Sequence, residues 1–342
     1  MKTIFSLIIT LIFLISCNNH TKKQDLIQSK NEFTIAFGSC NNQNVPNNLW
    51  KDILKNKPSV WIWGGDIVYA DTENMKLMQS YYSQVKTDSN YMNFKNNVDI
   101  LGTWDDHDFG VNDGGVEYIK KDSAQQLLLD FFDVSNNDPR RNRSGVYYSK
   151  VYPIGDKSIK IILLDTRYFR TALTNDPTGK KRYIPNVGGN GTLLGETQWK
   201  WLEDELKNST SEFTIIMSSI QFLSHEHGFE SWGNMPNEVK KLEQLILSSK
   251  VKRVIILSGD RHLSEISAKN IEGLDYPLYD VTSSGLTHSY EAYKFEPNKY
   301  RKSNVVSVKS FGLLQFDLQS NSVTMELRGL DNVLLESITQ KY

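Results

Sequence analysis

Val60-Trp61-Ile62-Trp63-Gly64-Gly65-Asp66 is a run of four large apolar residues that stops at two glycines and an acid. A short unbroken run of aromatic and β-branched residues reads as a strand buried on both faces. The glycines let the backbone turn sharply and allow a ligand or second segment to come close. The acid arrives just past the strand's carboxyl end. The same arrangement recurs three times: residues 33–37 lead into Gly38-Ser39-Cys40, residues 98–104 into Asp105-Asp106-His107-Asp108, and residues 254–257 into Ser258-Gly259-Asp260-Arg261-His262. Helical periodicity fills the intervals at residues 49–55, 75–85, 119–132, 197–206 and 238–247. Strands alternating with helices predict an α/β layered fold, whose ligands collect beyond the carboxyl ends of the strands. One Asp after a strand usually caps a turn. Four strand ends offering Cys, Asp, Asp-His and Asp-x-His point instead to a metal centre. His107, His225, His227 and His262 fall within or near this set.

Outward from these runs, residues 159–165 read as a further strand ending in Asp165-Thr166-Arg167, and residues 213–216 as another. Residues 278–281, 305–308, 313–318, 323–327 and 333–338 read as consecutive strands, so the chain is expected to end in sheet. Residues 171–195, rich in Gly, Asn, Pro and Thr, predict a long loop over one face. Trp199, Leu202 and Leu206 at helical spacing read as core. The basic runs at 140–143 and 180–182 read as solvated loops. No linker divides residues 32–342, which are read as one domain.

The chain has 342 residues, 39 Lys+Arg against 40 Asp+Glu and a net charge of -1, with 39% hydrophobic residues and a mean hydropathy of -0.45. Near-neutral charge argues against a protein that coats nucleic acid. The composition excludes disorder and a polytopic membrane protein. The first residues differ from the rest. Lys2 precedes an apolar run at 4–15 that is too short to span a bilayer comfortably. It ends in Leu14-Ile15-Ser16-Cys17, which resembles the lipobox of bacterial lipoproteins. That resemblance implies a signal peptide over 1–16, lipid on Cys17, a polar tether over 17–31 and export to the periplasm or outer membrane. An ordinary secretory signal is the alternative. With Cys17 lipidated, Cys40 has no disulfide partner, leaving it as a metal ligand or as a small buried thiol.

Gly65-Asp66-Ile67-Val68-Tyr69, Trp104-Asp105-Asp106-His107-Asp108 and Gly259-Asp260-Arg261-His262 resemble, in order, the blocks of PhoD-like alkaline phosphatases in the calcineurin-like metallophosphoesterase superfamily. Gly38-Ser39-Cys40, Leu164-Asp165-Thr166-Arg167, Gln198-Trp199-Lys200-Trp201 and Thr282-Ser283-Ser284-Gly285 extend the match. The resemblance implies a four-layer α-β-β-α sandwich with two central mixed sheets. It also implies hydrolysis of phosphate esters by metal-bound hydroxide. Two or more metal ions are implied, iron(III) with calcium or another divalent cation. By resemblance, Asp66 bridges, Cys40, Tyr69 and His262 hold the first ion, and Asp106 and Asp260 hold the second. Asp106 stands where the wider superfamily has Asn. His107 is the implied acid for the leaving oxygen.

Other roles stay open in the residues themselves. Tyr69 is a ligand or a core aromatic, and Asn112 a substrate or metal contact or a turn residue. Arg167 is a phosphate clamp or half of an ion pair with Asp165 or another carboxylate. His225 and His227 are substrate or metal contacts or, the better reading, exposed loop residues. Larger family members carry a β-rich domain ahead of the catalytic one, and some close the site with a C-terminal helix. Neither pattern is read here, so a more open pocket is expected. Phosphodiesterase or phospholipase-type activity, and a non-catalytic phosphate- or metal-binding lipoprotein, are the competing functions.

Overall fold

A computed structural model describes residues 32–342, and there the apolar runs are strands. They are β1 (Glu32–Gly38), β2 (Val60–Gly64), β3 (Asp99–Thr103), β4 (Tyr148–Ile154), β5 (Lys157–Leu163), the short β6 (Thr174–Asn175) and β7 (Tyr183–Ile184), and β8 (Phe213–Met217). β9 (Val254–Ser258), β10 (Ser264–Lys269), β11 (Leu278–Ser283), β12 (Ser310–Asp317), β13 (Ser322–Gly329) and β14 (Leu334–Lys341) follow. The helices are α1 (Trp50–Lys55), α2 (Met75–Lys86), α3 (Ser89–Lys95), α4 (Asp106–Phe109), α5 (Lys121–Phe131), α6 (Gly195–Lys207) and α7 (Pro236–Ser249).

Two six-stranded sheets result, ordered β14-β13-β12-β1-β2-β3 and β10-β11-β9-β8-β5-β4. Both are mixed: β1, β2 and β3 run parallel, as do β5, β8, β9 and β11, while the remaining neighbours are antiparallel. Strand periodicity sorts the side chains into layers. In β2, Val60 and Ile62 enter the core between the sheets, where Ile35, Phe37, Ile159, Ile161 and Phe213 meet them. Trp61 and Trp63 point the other way, against Trp50, Tyr91 and Phe94 of α1 and α3. In β5, Ile162 likewise faces Trp199, Leu202 and Leu206 of α6 and Leu242 and Ile246 of α7. The layers are therefore α-β-β-α, and the uniformly apolar runs reflect strands covered on both faces.

Several expected elements differ. Residues 305–308 make only an isolated bridge, Val306 to Ser264. Two long strands escaped the reading. β4 is a half-exposed edge with Pro153 in it, and β10 is a buried strand of polar composition. The loop at 171–195 carries the β6–β7 hairpin. Among the described residues, no helix is long and apolar enough to cross a membrane. The signal, lipid and tether readings at 1–31 lie outside the described residues.

Candidate metal centre

The loops leaving β1, β2, β3 and β9 converge because two glycines leave room. At Gly65, φ is +92°, and a Cβ would sit 2.4 Å from that of Asp105. A Cβ on Gly259 would lie 2.4 Å from Ser39 Oγ. Just beyond these contacts, Cys40 (φ 62°), Asp66 (φ 51°), Asp260 (φ 68°) and His262 (φ 54°) all adopt the left-handed region. Ordinary turns of the chain use this region too, but here four donor-bearing residues adopt it side by side. Asp108 helps hold the turns, accepting the N–H groups of Asp66 at 3.2 Å, Ile67 at 3.0 Å and Asp105 at 2.6 Å.

The donors meet as follows. Buried Cys40 Sγ lies 3.3 Å from Asp66 Oδ2 and 3.0 Å from Ser284 Oγ. Tyr69 is half-buried, with its hydroxyl 3.5 Å from Asp66 Oδ2 and 2.9 Å from His262 Nε2. Four groups of acids, Cys and His each gather within 4.8 Å: Cys40/Asp66/His262, Asp66/Asp106/His107, Asp105/Asp106/Asp260 and Asp106/Asp113/Glu230. Asp66 belongs to two of them, and its Oδ1 is buried without a hydrogen-bond partner. Burial, then Cys40 and Asp106, pushes the Asp66 carboxyl well above its usual range. Asp260 is raised to about 7, by burial first and Asp106 next. Burial raises the Cys40 thiol to about 11. An orphaned buried carboxylate oxygen among acids that resist ionisation fits a cation held there.

Asp106 is the exception. Burial opposes its ionisation, but Arg167, His107 and the N–H groups of Asp113 and His107 outweigh burial and hold it below its ordinary value. His107 lies at the cleft edge with Nδ1 2.7 Å from Asp71 Oδ2. Burial lowers its pKa, yet that contact and the nearby Asp66 and Asp106 raise it to about 10 overall. A cleft of about 200 Å³ opens over Asp106, His107, Asp260 and His262, with Asn112, Asp113, Arg182, Phe229, Glu230 and Arg261 around it. Exposed Asn112 is at its rim.

Two sequence expectations require correction, and of the two roles left open for Arg167 the phosphate clamp falls. Arg167 does not face the cleft. It is fully buried, with Nε 2.6 Å from Asp105 Oδ1 and a terminal nitrogen 2.5 Å from Glu230 Oε2, so both carboxylates occupy it beneath the site. Asp165 instead accepts the N–H groups of Trp104 Nε1, Val146, Arg167 and Tyr168. His225 and His227 are half-buried rather than exposed. His227 accepts the Phe229 N–H on Nδ1 at 3.0 Å, and burial drops its pKa to about 3. The 180–182 run is not all solvated: Arg182 reaches Asp113 at 2.5 Å, beside the Tyr183 hydroxyl at 2.7 Å, which docks the β6–β7 hairpin on the cleft. Asp71, Asp113, Glu230 and His288 are site neighbours that the sequence reading missed. Continuation of the Thr282–Gly285 block to Thr287-His288 was the available signal for the last.

The family model for PhoD-like phosphatase matches residues 35–327. The chain belongs to the PhoD-like phosphatase family. Alkaline phosphatase D of Bacillus subtilis (strain 168) is 23% identical over 309 residues, covering 74% of this chain and 51% of the relative. The chain thus spans about half the length of that curated relative. A solved structure of PhoD superposes with a TM-score of 0.71 at 17% identity, covering 91% of this chain and 68% of that one. A dimetal phosphatase from Danio rerio superposes with a TM-score of 0.51 at 13% identity, covering 91% and 99%. These PhoD-like and dimetal-phosphatase likenesses bear out the layered fold expected from the strand-end blocks.

Proposed function

We propose that this PhoD-like chain is a metal-dependent phosphoester hydrolase. The observation that carries the reading is Asp66. It is shared by two donor groups, one with Cys40 and His262 and one with Asp106 and His107, and has a buried oxygen lacking any partner. We assign Asp66 as the carboxylate between two cations. Cys40, Tyr69 and His262 would hold the first, and thiolate with phenolate suits iron(III). Asp106 and Asp260 would hold the second, where oxygen donors suit calcium or another hard divalent ion. When bound, the cations would neutralise phosphate charge and supply activated water.

The chain's own residues do the remaining work. Arg167, paired with Asp105, lowers the proton affinity of Asp106 from below and so keeps that donor ionised. His107, steadied by Asp71, offers a proton from the cleft edge to the departing oxygen. Arg182 and Arg261 line the cleft but are held by Asp113 and Glu296, so the charge of an anionic substrate falls mainly to the cations. The substrate is a phosphate ester, with Asn112 at the rim as a contact for it. Residues 32–342 act as the catalytic unit. The body is exported and held to a membrane by lipid on Cys17, through the tether at 17–31. The Leu14-Ile15-Ser16-Cys17 box supports that placement.

Purified protein assayed on a panel of aryl and alkyl phosphomonoesters, phosphodiesters and phospholipids tests the reading. Turnover of at least one ester class is expected and assigns the substrate. Binding of phosphate with no turnover of any member would leave a binding protein.

A further inference from the structure

His288 is absent from every family block quoted above, yet its ring lies inside the donor cluster. Its Nε2 is 3.1 Å from the Tyr69 hydroxyl and 3.3 Å from His262 Nε2, while Tyr69 and His262 are 2.9 Å apart. Three donor atoms therefore form a nearly equilateral triangle. Hydrogen bonds can close two of its edges, the phenol donating to one imidazole and accepting from the other, but they leave the two Nε2 atoms facing each other at 3.3 Å. A cation satisfies all three. Ligand bonds of about 2.0–2.2 Å set neighbouring donors about 3.0 Å apart at right angles and about 3.4 Å apart in a tetrahedron. The observed edges, 2.9, 3.1 and 3.3 Å, match that interval to within 0.1 Å.

The other side of the ring fixes which nitrogen is bare. Thr287 Oγ1 donates to the Cys40 carbonyl at 3.2 Å and accepts the Asn42 N–H at 2.8 Å. With its proton spent, this hydroxyl meets His288 Nδ1 at 3.0 Å as an acceptor. The His288 proton is then on Nδ1, and Nε2 presents a lone pair to Tyr69 and His262. A hydrogen bond at the far nitrogen that sets tautomer and ring orientation is the usual support of a ligating histidine. The same hydroxyl braces the backbone of Cys40, so one threonine orients two donors.

We propose that His288 is a ligand, through Nε2, of the cation held by Tyr69 and His262. This rests on the metallophosphoesterase reading, and the experiment separates the two. Metal-free protein is titrated with Co²⁺ by calorimetry, alongside His288→Gln and Asp66→Asn, and the Co²⁺-loaded proteins are compared by proton NMR. A bound imidazole with its proton on Nδ1 gives an exchangeable resonance shifted far outside the ordinary range. Wild type should show at least two, from His262 and His288. His288→Gln should lose one and bind Co²⁺ at least about 10-fold more weakly, with its melting temperature before loading unchanged. Unchanged binding with unchanged resonances, or weaker binding with both resonances retained, overturns the assignment of His288. A wild-type count of one overturns it without reference to any variant. Wild type that takes up no Co²⁺, or takes up as much as Asp66→Asn, sinks the metal-centre reading itself and the His288 assignment with it.

Discussion

Replacing Arg167 by Met keeps a long side chain of similar reach and deletes the charge. The guanidinium is fully buried, bonded to Asp105 at 2.6 Å and to Glu230 at 2.5 Å. Glu230 retains Arg170 at 3.0 Å, whereas Asp105 retains no cation among the described residues and is left with neutral donors such as the Ser219 hydroxyl at 2.9 Å. The substitution therefore strands one buried carboxylate. Removing one partner of a buried pair costs about 3–5 kcal/mol, because the other charge stays desolvated and uncompensated. With a urea slope of about 3 kcal/mol per molar, the unfolding midpoint should fall by about 1–1.7 M. Adding Asp105→Asn to Arg167→Met should recover most of the loss, since the two residues form one unit. Urea titration followed by tryptophan fluorescence measures both. If Arg167 instead gripped substrate phosphate, Arg167→Met would leave the midpoint in place and raise only KM. That result would refute the account of the buried pair.

His107→Ala should lower turnover by about 10²–10⁴-fold with metal content intact, and the loss should shrink for esters with good leaving groups. Equal losses across a leaving-group series would make His107 a structural residue. Cys40→Ser should release iron and most activity with a modest change in melting temperature. Full iron occupancy by mass spectrometry would remove Cys40 from the ligand set. Cys17→Ala should abolish lipid labelling, while a chain starting near Asn31 should fold and keep its turnover. Labelling that survives the substitution would rule out the lipid anchor.

The strand-end clusters after β1, β2 and β9 were legible because those strands are mainly apolar and stop at a glycine or serine, and the one after β3 because Trp-Asp-Asp-His-Asp is itself distinctive. Cys40, Asp66, Asp106, His107, Asp260 and His262 were named from that signal, and all lie in the donor groups. β10 was not legible, since Ser-Glu-Ile-Ser-Ala-Lys has no apolar run. Its polar groups are satisfied by partners distant in sequence: Glu265 accepts from Gln221 and Asn298, and Ser264 pairs with Ser310. Arg182 looked like one cation in a solvated run because only the β6–β7 hairpin brings it to Asp113. At Arg167 the sequence offered a phosphate clamp or an ion pair and could not choose between them. An arginine after a strand near a phosphate-type site suggests a clamp, and burial beneath Asp105 is a tertiary fact. His288 enters through the loop after β11, which no local periodicity marks.

The central claim is that this donor set holds cations on which phosphoester hydrolysis depends. Metal per chain and turnover of a phosphate ester, measured together through chelator stripping and stepwise reloading, test it most directly. The account predicts about two or more cations per loaded chain, loss of turnover on stripping, and recovery in proportion to the metal returned, while Asp66→Asn neither reloads nor recovers. Stripped protein that hydrolyses the ester at its original rate would contradict it.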